Sequence, residues 1–131
     1  MTRQDAEQRL QQLSQGDAAA FFAAGLDLLK ADQPEMLMSA SRAAAVRHGS
    51  NYHIQQLLGL AARALGESGQ ALAAFARAAA LAPTDPLIAH SHARAALEAG
   101  VDATRLFDRA IQLAPGDGAV LQGRAAAFHA E

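Results

Sequence analysis

The residues best suited to chemistry in this chain are its five histidines and its scattered carboxylates, and their spacing argues against a reaction centre. His90 and His92 are two residues apart, so on a helix they point in different directions and cannot grip one metal ion together. His48 lies near a predicted helix C-terminus, where a protonated ring is favoured by the helix dipole. His53 and His129 stand alone. Asp5, Glu7, Asp27, Glu67, Asp85, Glu98, Asp102 and Asp108 form no pair that a helical fold would bring into one pocket, and read as helix caps and solvated faces. Gly66-Glu67-Ser68-Gly69 is one residue short of a nucleophile elbow and falls between two helices rather than after a strand. No glycine-rich phosphate loop follows a strand, and the absence of cysteine excludes thiolate catalysis and thiolate-bound zinc. No catalytic residue, metal ligand or cofactor is expected.

The bulk numbers suit a helical protein that binds something other than nucleic acid. Apolar residues make up 51% of the 131 positions and aromatic residues only 5%, much of the remainder being alanine. Alanine has the best helix propensity and lets backbones approach closely, so close-packed helices are expected rather than a bulky core. A formal net charge of −2 lacks the basic excess that phosphate contacts require. The polar start Met1-Thr2-Arg3-Gln4-Asp5 has no signal-peptide core, and no stretch nears the ~20 apolar residues of a membrane span. A cytoplasmic protein is the simplest expectation. Ten arginines against the single Lys30, with the alanine richness, hint at a GC-rich bacterial genome.

Stop and start signals delimit eight helices and no strands. Thr2 and Asp5 open a helix over about 3–14, ended by Gly16. Asp17 caps one over 18–31, with Phe21, Phe22, Leu26 and Leu29 on a broad apolar face. Asp32 and Pro34 open a helix to His48, closed by Gly49. Ser50 or Asn51 caps a helix to Leu65, and Ser68 starts one that Pro83 stops. Thr84-Asp85-Pro86 is a strong helix opening, with proline in the first turn where its missing N–H costs nothing. Gly100 ends that helix, Asp102 caps the next, Pro115-Gly116 end it, and Asp117 caps the last.

These helices repeat. Gly25, Gly59 and Ala93 recur every 34 residues, each small enough for two helices to touch, while Gly49, Pro83 and Pro115 close helices at spacings of 34 and 32. Such a period of paired helices is expected of a solenoid, in which each repeat buries its apolar face against its neighbours. Leu72, Phe75 and Leu81 fall on one face, as do Leu106, Phe107, Ala110 and Leu113. In the segment from Gln55 to Pro83, Leu58-Gly59, Ala62, Ala71, Phe75, Ala78 and Pro83 match the tetratricopeptide repeat in type and spacing. Repeat one resembles it less closely: Phe21 and Gly25 fit, but Leu37 and Ser41 stand where alanine and an aromatic are usual. Repeat three has Ala93, Ala103, Phe107, Ala110 and Pro115, with two residues missing from its internal turn. The resemblance implies an all-α, right-handed superhelix of helical hairpins, about eight helices in all. Its divisions are a flanking helix at 1–16, repeats at 17–50, 51–84 and 85–116, and a final helix at 117–131 that opens a further repeat. Val120, Leu121, Ala125 and Phe128 on that last helix lead us to expect a longer protein that continues the array; a natural capping helix is the other reading.

The same resemblance implies a protein- or peptide-binding scaffold that does no chemistry itself. The first helix of each repeat would line a concave wall with Phe22, Leu26, His53, Gln56, Leu60, Arg63, His90 and Arg94. Leu29, Lys30, Leu87, Leu97, Glu98, Gln122 and His129 follow from the same count. Such a wall would take a peptide with an apolar anchor and a carboxylate near Arg63 and Arg94. In a second reading the leucines and Phe22 are core and the arginines solvated, with Phe22 packing under the first helix, around Leu10 and Leu13. The chaperone-tail clamp of this family is not expected, since Phe22, Leu26, Leu57, Leu87 and Ser91 occupy the positions that would supply it. An alternative is the N-terminal accessory region of a bacterial enzyme of sulfotransferase, glycosyltransferase or aspartyl/asparaginyl hydroxylase type. Self-association through the solenoid ends is a third reading; neither nucleic acid nor membrane is expected as a partner.

Overall fold

The structure, a computed structural model, describes residues 18–48 and 51–116 together with Arg124. All regular structure among the described residues is helical. We label the helices α1 (Ala18–Lys30), α2 (Pro34–His48), α3 (Tyr52–Ala64), α4 (Ser68–Leu81), α5 (Pro86–Glu98) and α6 (Thr104–Leu113). These are six of the eight expected helices, with ends close to the expected ones. The helix over 3–14 and the one after Asp117, with Gln122 and His129, lie outside the described residues, as do Leu10 and Leu13.

Side-chain caps account for three of the helix starts. Asn51 is the cap of α3, its side-chain oxygen accepting the His53 backbone N–H at 2.9 Å. Asp85 accepts from the N–H groups of Leu87 and Ile88 ahead of α5, with Pro86 in the first turn. Asp102 accepts from Thr104 N–H at the start of α6. Each bond satisfies a donor that the helix itself leaves open.

The helix ends carry the period more plainly than the starts do. Asp32, Gly66 and Gly100, each 34 residues from the next, are the described residues with positive φ, at 59°, 77° and 75°. Each closes its helix with the same pair of backbone bonds. Gly66 N–H donates to Arg63 C=O and Glu67 N–H to Ala62 C=O; Gly100 and Val101 do so to Leu97 and Ala96, and Asp32 and Gln33 to Leu29 and Leu28. This is the Schellman closure, which needs a left-handed residue. Asp32 therefore ends α1 instead of opening α2, a correction to its expected role. Aspartate serves in both places because its short polar side chain tolerates left-handed backbone better than most.

Packing follows chain order. α1 contacts α2 and α3, and each later helix packs on the one before it. A methyl group added at Gly59 would lie 2.7–2.8 Å from three atoms of the Phe75 ring, so the missing side chain is what lets α3 and α4 close on that aromatic. At Gly25 the corresponding space is taken by Leu57, 2.7 Å away, and Leu37, 3.1 Å away. Leu57 and Leu37 thus together fill the room that an aromatic fills one repeat later, and Ser41, at the aromatic's position, is fully buried. One buried cluster runs from Phe21 and Leu37 through Leu57 to Phe75 and Ala95. A second surrounds Phe107 with Ala93, Ala96, Ala103 and Ala110, and Leu72 packs against both. Leu81 departs from expectation: at the last turn of α4 it is 42% exposed.

Candidate interaction surface

Side-chain contacts link α1 to α3 and α3 to α5. From α1, the half-buried Phe22 lays its ring 5.1 Å from that of His53 on α3, tilted by 45°. On its other side His53 meets Tyr52, with centroids 4.1 Å apart. Farther along, Arg63 of α3 donates from Nε to Glu98 Oε2 of α5 at 3.2 Å. Residues 31 and 35 apart in sequence thus touch.

Electrostatics organises the α3–α5 end. Glu98 also receives Arg94 at 3.7 Å, one helical turn away on α5. Two guanidiniums therefore share one carboxylate, leaving a net positive charge at the wall. The Arg63 guanidinium is also 5.4 Å from the Phe75 ring centroid, a cation–π distance that ties this pair to the α3–α4 crossing. Arg63 Nη2 and His53 Nδ1 are shielded from solvent without a hydrogen-bond partner among the described residues. Buried polar atoms are normally satisfied, and Ser41 Oγ on α2 is in the same state.

The expected wall residues divide into three groups. Phe22, Leu26, His53, Leu60 and Arg63 are half-buried, and Phe22 with Leu60 packs on the first core cluster. Gln56 is only 6% exposed and presents almost nothing to a ligand. Arg94 is exposed beside Glu98, while His90 turns toward α6, its ring 6.1 Å from that of Phe107. His90 is thus drawn off the α1–α3 line by the second cluster. Leu87 is 62% exposed at the start of α5. The half-buried His92 has its pKa lowered by desolvation, since burial disfavours the charged ring.

Among the described residues, no group of three histidine or carboxylate side chains is placed to hold a metal ion. No described helix is long and apolar enough to cross a membrane. The sequence reading put Arg63, Arg94 and Glu98 on one expected wall but missed the pairing that brings them together. The Arg94–Glu98 half was available from the i, i+4 spacing.

No protein-family model matches the chain, and no curated protein gives a significant match. The chain is similar in structure to a chain in the crystal structure of a T3SS complex from Aeromonas hydrophila. The two superimpose with a TM-score of 0.67 at 20% identity, over 95% of this chain and 77% of the other. At that identity the likeness establishes a shared helical fold.

Proposed function

We propose that this chain is a tetratricopeptide-like solenoid module that binds a protein or peptide along the side shared by α1, α3 and α5. The observation that carries the reading is the pair of contacts between these helices, Phe22 on His53 and Arg63 on Glu98. They support one continuous strip in which half-buried aromatic and aliphatic side chains lead into a charged end. Partly exposed groups held in place by neighbours lose little freedom on binding, which favours affinity. The crystal structure to which the chain is similar is that of a complex, and this agrees with a role in protein association.

An extended or helical peptide would seat an apolar anchor near Phe22, Leu26 and Leu60. Its acidic group would reach Arg63 and Arg94, where it shares or displaces Glu98. An array of immobilised random dodecapeptides, probed with the wild-type chain and with the Phe22→Ala and Arg63→Glu/Arg94→Glu variants, tests this. Wild type should select peptides with an aliphatic or aromatic anchor and an acid, and both variants should lose them. Identical selection by all three proteins would remove this side from the binding site.

A further inference from the structure

Residues of α2, α3 and α4, with the α3–α4 turn, line two adjoining cavities of about 230 and 350 Å³. The first has a floor of Met38, Leu58, Ala62 and Ala74, all buried, with Arg42 and Arg77 at its rim. The second shares Met38 and Arg42 with the first and ends at Ser39, Glu35 and Glu67. The cleft is thus basic at one end, acidic at the other and apolar beneath.

The two guanidiniums are positioned but not neutralised. Arg42 Nη2 reaches across the cleft to Gln70 Oε1 at 3.1 Å, and Arg77 Nε donates to Gln55 Oε1 at 2.8 Å. Gln55 is 5% exposed, so a buried amide holds Arg77 in place. Neither arginine forms an ion pair among the described residues. A carboxylate makes charge-assisted and often bidentate bonds to guanidinium, roughly twice as strong as those of a neutral amide. It would therefore be preferred to Gln70 at Arg42 and would add to Gln55 at Arg77.

We infer that this cleft is a second binding site, one that accepts the aliphatic C-terminal residue of a partner polypeptide. Its α-carboxylate lies between Arg42 and Arg77, and its side chain rests on Met38, Leu58, Ala62 and Ala74. The first cavity, below the ~300–1,000 Å³ of drug-sized pockets, suits one side chain. Among polypeptide segments, a terminal residue is the one that puts an aliphatic group and a carboxylate together into so small a space. In an extended internal segment, neighbouring side chains point to opposite sides, so an aliphatic residue and an adjacent acid could not both enter. A fatty acid would lay its alkyl chain against Glu35, Glu67 and Ser39, whose acceptors a peptide's N–H groups satisfy instead. The site is separate from the α1–α3–α5 side and does not depend on the reading given there.

Solution NMR of the full chain tests it with three probes: acetyl-Ala-Ala-Leu with a free carboxylate, the same tripeptide as its C-terminal amide, and octanoate. The free acid should give saturable shifts at the Met38 methyl and the Arg42 and Arg77 Nε–H signals, binding roughly fivefold or more tighter than the amide. Arg42→Gln and Ala73→Phe, both at exposed positions lining the first cavity, should each weaken it by a similar factor with unchanged thermal melts. The inference is overturned by equal binding of acid and amide, by octanoate binding more tightly at the same signals, or by no saturable shift up to about 10 mM. Shifts confined to Phe22, His53 and Leu60 would also overturn it while leaving the α1–α3–α5 reading intact.

Discussion

Gly59 and Phe75 offer the sharpest test of how these helices pack, because the structure predicts a coupling whose sign reverses when the ring is removed. Gly59→Ala gains about 1 kcal/mol of helix propensity in the interior of α3. Against this, the new methyl would lie 2.7–2.8 Å from three atoms of a fully buried ring, and overpacking costs about 1–3 kcal/mol. The contact involves a rigid aromatic with no room to turn, so the upper part of that range applies, and a net loss of about 1–2 kcal/mol is expected. Phe75→Ala should cost about 3–5 kcal/mol, and Phe75→Leu roughly 1 kcal/mol as a milder background. In either background the ring no longer opposes the methyl, so Gly59→Ala should become neutral or stabilising by about 1 kcal/mol. Gly25→Ala is the internal control. Its nearest atoms are the ends of the Leu57 and Leu37 side chains, which can shift by a few tenths of an ångström, and its net effect should lie within about 0.5 kcal/mol of zero. Urea unfolding followed by circular dichroism measures every corner of the cycle. Equal costs at Gly25 and Gly59, or a Gly59→Ala cost unchanged by loss of the ring, would refute the account of α3 closing on Phe75.

Other perturbations follow from the same geometry. Asp32→Gly should raise stability by about 0.5–1 kcal/mol, because it relieves a left-handed aspartate, whereas Gly66→Ala and Gly100→Ala should each lower it by about 1–2 kcal/mol in chemical denaturation. His92 is held below its ordinary value of 6.5, so the unfolded chain binds its proton more readily and stability contributed by the neutral ring is lost as pH falls through 6.5 toward the folded pKa. Melts of wild type should therefore weaken more between pH 7.5 and pH 5.5 than those of His92→Gln, and parallel curves would contradict the burial of that ring. Glu98→Gln should cost no more than about 0.5 kcal/mol, since Arg63 and Arg94 pair with it at a partly exposed surface, and that difference should shrink in high salt. In repeat one, Leu37→Ala should cost about 2–5 kcal/mol, and adding Ser41→Phe should recover part of it by placing a ring where Phe75 stands one repeat later; no recovery in urea denaturation would break the equivalence of the two sites.

What the sequence made legible was whatever repeats along the chain. Glycines, prolines and capping side chains act on the backbone within a few residues, so helix limits came through, and the 34-residue spacing of Gly25, Gly59 and Ala93 marked the close approaches. Asp32 shows where local signals run out. Before a proline at the second following position it has the chemistry of an opener, and only its alignment with Gly66 and Gly100 identifies it as a closer. The surface was less legible, because side chains from different helices meet at staggered rather than equivalent positions. The counterpart of Phe22 one period later is Gln56, yet Phe22 touches His53, a turn earlier. The counterpart of Arg63 is Leu97, yet Arg63 bonds Glu98, one residue beyond. Arg42 and Arg77 were silent for the same reason: each is defined by a glutamine from another helix, at separations of 28 and 22 residues that match no multiple of the period. Periodicity fixes which helices are neighbours, and the stagger between them, set by the packing of Leu57 on Gly25 and of Phe75 on Gly59, decides which side chains meet.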